Sequence, residues 1–257
     1  MCIIDRKARV GEEGRITRAM AYMLYTEMVL YQNDESRFGK ALLYMKEIID
    51  SKQYSLVGDF KGIWEESGEW GPESVWEINY ISEGGVRNWG SPIATGGSVY
   101  PVLIGIPGYV GNAFCDGWGF SPVAESAYTM YDQGDIRRDG GILDFSKHAS
   151  ETGASYTARW QDTGYFLLKY IGRKNGNHGY TADPNLNYCN NQRVYRYAET
   201  LLNAAELIVR GAGSGDAQAY LNEIRTRAKV STVSATLDNI LEAVSYTHLT
   251  LPTIYSV

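Results

Sequence analysis

The chain has 257 residues, 44% of them apolar and 21% charged, with a formal net charge of −6. That supply of apolar side chains builds one large domain or two small ones and argues against disorder for the bulk of the chain. The acid excess and the lack of any basic run argue against a phosphate-backbone binder, whose affinity comes from clustered Lys and Arg releasing counterions.

From Gly14 to Gln32 the run "ITRAMAYMLYTEMVLY" is apolar nearly all round, which predicts a helix buried on several sides. Asn33 or Asp34 caps a second helix in which Phe38, Ala41, Leu42, Met45, Ile48 and Ile49 form one apolar stripe. The pair is an antiparallel helical hairpin over residues 14–52. "YSLV" and "ESVWEINYI" read as short extended pieces, the second alternating Val75, Glu77 and Asn79 against Trp76, Ile78 and Tyr80. Residues 82–121 are dense in Gly, Pro and aromatics without a sustained period, which predicts a long irregular excursion. A short helix "PVAESAYTMYDQ" follows, then a charged turn "GDIRRDGGILDF", then a Gly-, Asn- and Tyr-rich stretch over residues 146–190 broken by the apolar "GYFLLKYI".

Helical spacing returns at residue 193. Val194, Ala198, Leu201, Leu202, Ala205, Ile208 and Val209 make an apolar face, with Arg196, Glu199, Asn203 and Glu206 on the other side. Gly211 and Gly213 end this helix, and Ser214 or Asp216 caps the next, "AQAYLNEIRTRAKV". This second hairpin and the start of a further helix, "LDNILEA", occupy residues 193–243. The fold class predicted is mostly α: tetratricopeptide-like helical hairpins around a long loop-rich insertion, residues 53–190, with a few short strands. At Val244 the pattern breaks into a β-prone, Thr-rich run. Val244–Thr253 matches one reading frame of a transposase-based sequencing adapter, so residues 244–257 are read as non-native and set aside. Met1 is then open to being an internal methionine.

Catalytic raw material is thin. There is no nucleophile elbow, zinc-protease helix, phosphate loop or dinucleotide fingerprint. Cys2, Cys115 and Cys189 are odd in number and widely spaced, which suggests neither a disulfide framework nor a zinc site. His148 and His178 read as solvated loop histidines, and Asp132, Asp135 and Asp139 as a solvated turn. Glu199 and Glu206, seven residues and roughly 10 Å apart on one helix, read as a salt-bridged scaffold seam with Arg225 and Arg227 of the next helix as partners. No catalytic residue, metal site or cofactor is expected. Tyr is abundant, with 20 residues beside 28 Gly and 6 Trp, a mixture suited to stacking against sugar rings or peptides.

The segments "GRITRAMAYMLYTEMVLY", "ALLYMKEIIDSKQYSL", "ESVWEINY", "GWGFSPVAESAYTMYDQGDIRRDGGI", "YFLLKYIG" and "RVYRYAETLLNAAELIVRGAGSGDAQAYLNEIRTRA" resemble, in this order, the SusD/RagB family of outer-membrane nutrient-binding lipoproteins from Bacteroidetes. The likeness spans residues 14–243, so residues 1–243 read as a fragment of one SusD-like domain. It implies a helical scaffold that supports a loop-rich, non-catalytic face. The resemblance further implies a glycan ligand bound at the cell surface, or a peptide in the RagB branch, and a SusC-like TonB-dependent transporter as partner. No nucleic-acid partner is expected, and the resemblance implies membrane contact only through an N-terminal lipid anchor that would precede this fragment. A tetratricopeptide-type protein-interaction module is the competing reading. The family has no ligand motif to carry over, so the binding residues expected are the excursion's exposed-looking aromatics and their polar neighbours: Arg87, Asn88, Trp89, Tyr100 and Tyr109. Trp118, in "GWG", reads as structural.

Overall fold

The computed structural model describes residues 11–82, 88–90, 96–176 and 183–248. These fall into two compact units: one takes residues up to Gly58 with Trp70–Ile78 and Arg193–His248, the other Asp59–Glu69 with Asn79–Gln192. Among the described residues the structure is mostly helical with short strands.

The first unit is the helical scaffold. Helix α1 (Arg18–Tyr31) is capped by Thr17, whose hydroxyl accepts from the Met20 amide at 3.1 Å, and α2 (Glu35–Asp50) by Asp34, whose carboxylate accepts from Ser36. The turn between them needs only Asn33 in a left-handed conformation (φ 49°), which Asn tolerates better than most residues. The stripe predicted on α2 is the buried one: Phe38, Ala41, Leu42, Met45, Ile48 and Ile49. α1 departs from expectation. It buries Ala19, Met23, Thr26 and Val29 along a single face and leaves Leu24, Met28 and Tyr31 exposed. Apolar composition fixed its helicity without fixing how many faces are covered.

Strand β1 (Ser74–Ile78) keeps the predicted alternation, and the side it buries carries Val75 and Glu77, while Trp76 is half-buried and Ile78 exposed. Further on, the second hairpin starts later than its spacing predicts, because Gln192–Arg196 is not helical. It forms a strand that pairs with β1, and the helix begins at Tyr197, whose amide donates to the Glu73 carbonyl at 2.8 Å. Val194 and Tyr195, β-branched and aromatic, suit that strand. The following helix, Tyr197–Val209, is the centre of the unit. Ala198, Leu201, Leu202, Ala204, Ala205 and Leu207 are all fully buried, and the alanines let neighbouring helices approach. Asp216 then caps Ala217–Ala228 by accepting from Ala219 at 2.9 Å. The last described helix, Leu237–His248, runs through Val244 without interruption, burying Ile240, Ala243, Tyr246 and Thr247 at helical spacing.

The polar seam is not the one predicted. Glu206 pairs with Arg210 on its own helix at 2.8 Å, and Arg225 donates to the Ser231 carbonyl at 2.5 Å. Glu73, which the sequence reading passed over, is buried between Arg196 at 2.8 Å and Arg227 at 2.9 Å. Glu199 is only partly buried as a residue, yet its Oε2 is sealed from solvent. That burial, opposed by the nearby Arg196 charge, pushes its pKa up to about 8.

The second unit carries the irregular chain. In order, α3 is Tyr100–Ile104, α4 Glu125–Thr129, α5 Ile136–Gly141, β2 Ile142–Asp144, α6 Phe145–Thr152 and β3 Tyr165–Leu167, with the strand Gln192–Arg196 numbered β4 and the three scaffold helices after it α7, α8 and α9. β2 and β3 are antiparallel, pairing Ile142 with Leu167 and Asp144 with Tyr165. Two expectations of solvated turns fail here. Asp135 is buried, and its carboxylate takes Arg137 in a two-pronged ion pair with a closest contact of 2.6 Å. His148 sits on α6, its ring among Tyr109, Phe114 and Phe145, with Nε2 3.0 Å from the Tyr109 hydroxyl and its pKa lowered by burial. For His148, polar flanks in the sequence concealed the aromatic rings that Tyr109 and Phe114 bring from a distant segment.

Candidate functional site

The candidate site is a set of exposed aromatic rings on the second unit. Its base is α3 and the chain that folds back on it. Pro101 sits in the first turn of α3, where its missing N–H costs nothing. After a long excursion, residues 117–120 return along the end of this helix. The amides of Gly117, Trp118, Gly119 and Phe120 donate to the carbonyls of Ile106, Val102, Gly105 and Leu103 at 2.8–3.0 Å. Backbones this close require glycine on both sides: a Cβ on Gly117 would lie 2.3 Å from the Gly105 Cα. Gly117→Ala is therefore expected to cost about 1–3 kcal/mol of stability, as overpacking does, and to disorder the rings that follow. A lowered thermal midpoint with weakened near-UV circular dichroism would report both.

The rings held this way are Trp118 and Phe120. Trp118 is half-buried and stacks against Trp89, centroids 5.8 Å apart at 18°, while Phe120 meets Trp118 edge-on at 6.1 Å. Trp89 is 59% exposed and Phe120 47%. Asn88 fixes the turn beneath Trp89, its Oδ1 accepting from the Gly90 amide at 2.8 Å. Arg159 lies over the Phe120 ring at 5.2 Å and donates to the Trp118 carbonyl, tying a third segment to the pair. The next residue, Trp160, is 85% exposed. Its turn is pinned by the Asp162 amide on the Arg159 carbonyl at 3.1 Å and by the Tyr156 hydroxyl on Asp162 at 2.6 Å. Burial, with the Asp162 carboxylate beside it, raises the Tyr156 pKa to about 12, so that hydroxyl stays a donor.

Of the five residues expected from sequence, Asn88 and Trp89 lie in this set. Arg87, like His178, falls outside the described residues. Tyr109, read as exposed, is 7% exposed and belongs to the core with Phe114, Phe145 and Phe166. Tyr100 packs edge-on against the buried Tyr170 at 5.7 Å, and burial raises its pKa to about 12. Phe120, Arg159 and Trp160 escaped the sequence reading. "TARWQDTG" held the signal, since a lone Trp among polar residues has no local apolar partner to pack on.

A family model, the SusD family, matches residues 123–245. Surface glycan-binding protein A from Bacteroides thetaiotaomicron is 45% identical to this chain over 95% of its length, with a TM-score of 0.90. The chain belongs to the SusD family. The same relative has been solved in complex with laminarihexaose. Surface glycan-binding protein A from Bacteroides fluxus is 38% identical, covers 95% of this chain and has a TM-score of 0.87. A laminarin-binding SusD-like protein is 28% identical over 95% of the chain, with a TM-score of 0.82. No curated protein matches the chain. The chain spans about half the length of these SusD-family relatives: 54% of the first, 52% of the second and 54% of the third. The helical scaffold and the family thus agree with the resemblance carried by the sequence.

Proposed function

We propose that this chain binds a laminarin-type glucan without cleaving it, and that the protein it belongs to presents the glucan at the cell surface to a SusC-like TonB-dependent transporter of the outer membrane. The observation that carries the binding reading is the exposed aromatic set Trp89, Trp118, Phe120 and Trp160 on a rigid base. A pyranose presents an apolar C–H face and a polar rim. An indole takes the face by stacking, and Arg159 and Asn88 offer hydrogen-bonding groups to the rim. The stack of Trp89 on Trp118 leaves one indole face for a sugar and holds the other, so little ordering cost remains at binding. The relative solved with laminarihexaose supports the ligand class. Among the described residues no cluster of His, Cys, Asp and Glu is suited to hold a metal, and no helix is long and apolar enough to cross a membrane.

Calorimetric titration with laminarihexaose tests the site. Trp118→Ala and Trp89→Ala are each expected to weaken binding about tenfold or more, the cost of removing a central aromatic contact. Unchanged affinity in both variants would remove the aromatic set from the ligand site.

A further inference from the structure

The second unit also contains two clefts that share a wall. One, of about 590 Å³, is lined by Glu65, Glu66, Arg173 and Asn175, and the other, of about 340 Å³, by Lys61, Asp139, Lys147 and Glu151; Ala113 borders both. Their volumes fall in the range of ordinary ligand sites. Phe114, Ile142 and Leu168, all buried, contribute the apolar lining of the smaller cleft. With Asp144, which also lines the smaller cleft, five carboxylates face three cations across the two. That excess disfavours an anionic ligand, while the mixture of donors and acceptors suits hydroxyls, which are both. Apolar lining below a polar rim matches a pyranose whose ring hydroxyls are equatorial: C–H groups down, hydroxyls outward.

We infer that the paired clefts around Ala113 form a second binding site for a neutral glucan chain, separate from the aromatic set. This inference rests on the glucan reading above. The two sites differ in chemistry: stacking governs the first, hydroxyl recognition by charged and amide side chains the second. Two modest sites on one unit let a polysaccharide bind more tightly than an oligosaccharide long enough for one site only, because the second contact forms at high effective concentration.

Ala113 offers a direct test. Its side chain is exposed, and its backbone is held by its amide on the Tyr109 hydroxyl at 3.4 Å and by the Lys174 amide on its carbonyl at 3.2 Å. Ala113→Trp therefore fills the shared wall while the surrounding backbone stays tied. With the purified chain, Ala113→Trp is expected to lower the affinity for polymeric laminarin about tenfold and to leave the affinity for laminarihexaose within twofold. Lys147→Ala combined with Glu151→Ala, both exposed side chains, is expected to act in the same direction and guards against misfolding of the bulkier variant. Wild-type affinity for the polymer in both folded variants overturns the second site. If they behave as wild type while Trp118→Ala binds weakly, the aromatic site stands and the second falls. If the wild-type chain binds neither ligand, both readings fall.

Discussion

Glu73→Ala is expected to destabilise the protein by about 3–5 kcal/mol, the usual cost of leaving a buried charge without its partner. Glu73 holds more than one segment of the scaffold. Its Oε1 accepts from Arg196 at 2.8 Å and its Oε2 from Arg227 at 2.9 Å and from the Val57 amide at 2.9 Å, while its carbonyl takes the first amide of α7. Removing the carboxylate strands two buried guanidinium groups, of which Arg196 also donates to the Thr247 carbonyl at 2.8 Å. At roughly 2–4 °C per kcal/mol for a chain of this size, the thermal midpoint should fall by several degrees or more. Glu73→Gln keeps the volume and loses the charge, and should fall between the two. A denaturant midpoint unchanged in Glu73→Ala would mean that the arginines find water instead, and that the seam is not sealed as the structure shows it.

The second large effect is a pH dependence set by Glu199. Its folded pKa is raised from the ordinary 4.5 to about 8, chiefly because burial penalises the charged form, with Arg196 opposing and Glu27 adding to the rise. Below pH 4.5 the folded and unfolded states both hold the proton. As pH rises the unfolded chain releases it first, so stability present at low pH is lost progressively until the folded carboxyl ionises near pH 8. His148 acts with the opposite sign: its lowered pKa makes acid unfavourable to the folded state below the ordinary 6.5. Comparison with Glu199→Gln, which shares His148, separates the two. Between pH 5 and pH 8.5 the wild-type thermal midpoint should fall by several degrees more than that of Glu199→Gln. Parallel curves would show that Glu199 ionises freely in the folded protein.

These two residues also show where the sequence was legible. The stripe on α2, the Asp34 and Asp216 caps and the alanine-rich face of α7 are local signals, written within one element at helical period, and each stands in the structure. Glu73 lies more than a hundred residues from Arg196 and Arg227, and helical spacing instead offered Arg225 and Arg227 as partners for Glu199 and Glu206. The site divides the same way. Trp89 stood out as an aromatic in a polar, Gly-rich stretch. Its partner Trp118 and the Phe120–Arg159 contact depend on a chain reversal that Gly105 and Gly117 permit, which no periodicity announces. Tyr109, in an equally Gly-rich stretch, went into the core because α6 supplied His148 and Phe145 to cover it.

Binding without cleavage is testable in a single titration. Laminarihexaose is added to the wild-type chain in a calorimeter, and the recovered mixture is assayed for new reducing ends. Saturable binding is expected, with every hexaose molecule returned intact. Shorter products, or no saturable binding at any accessible concentration, would contradict binding without cleavage.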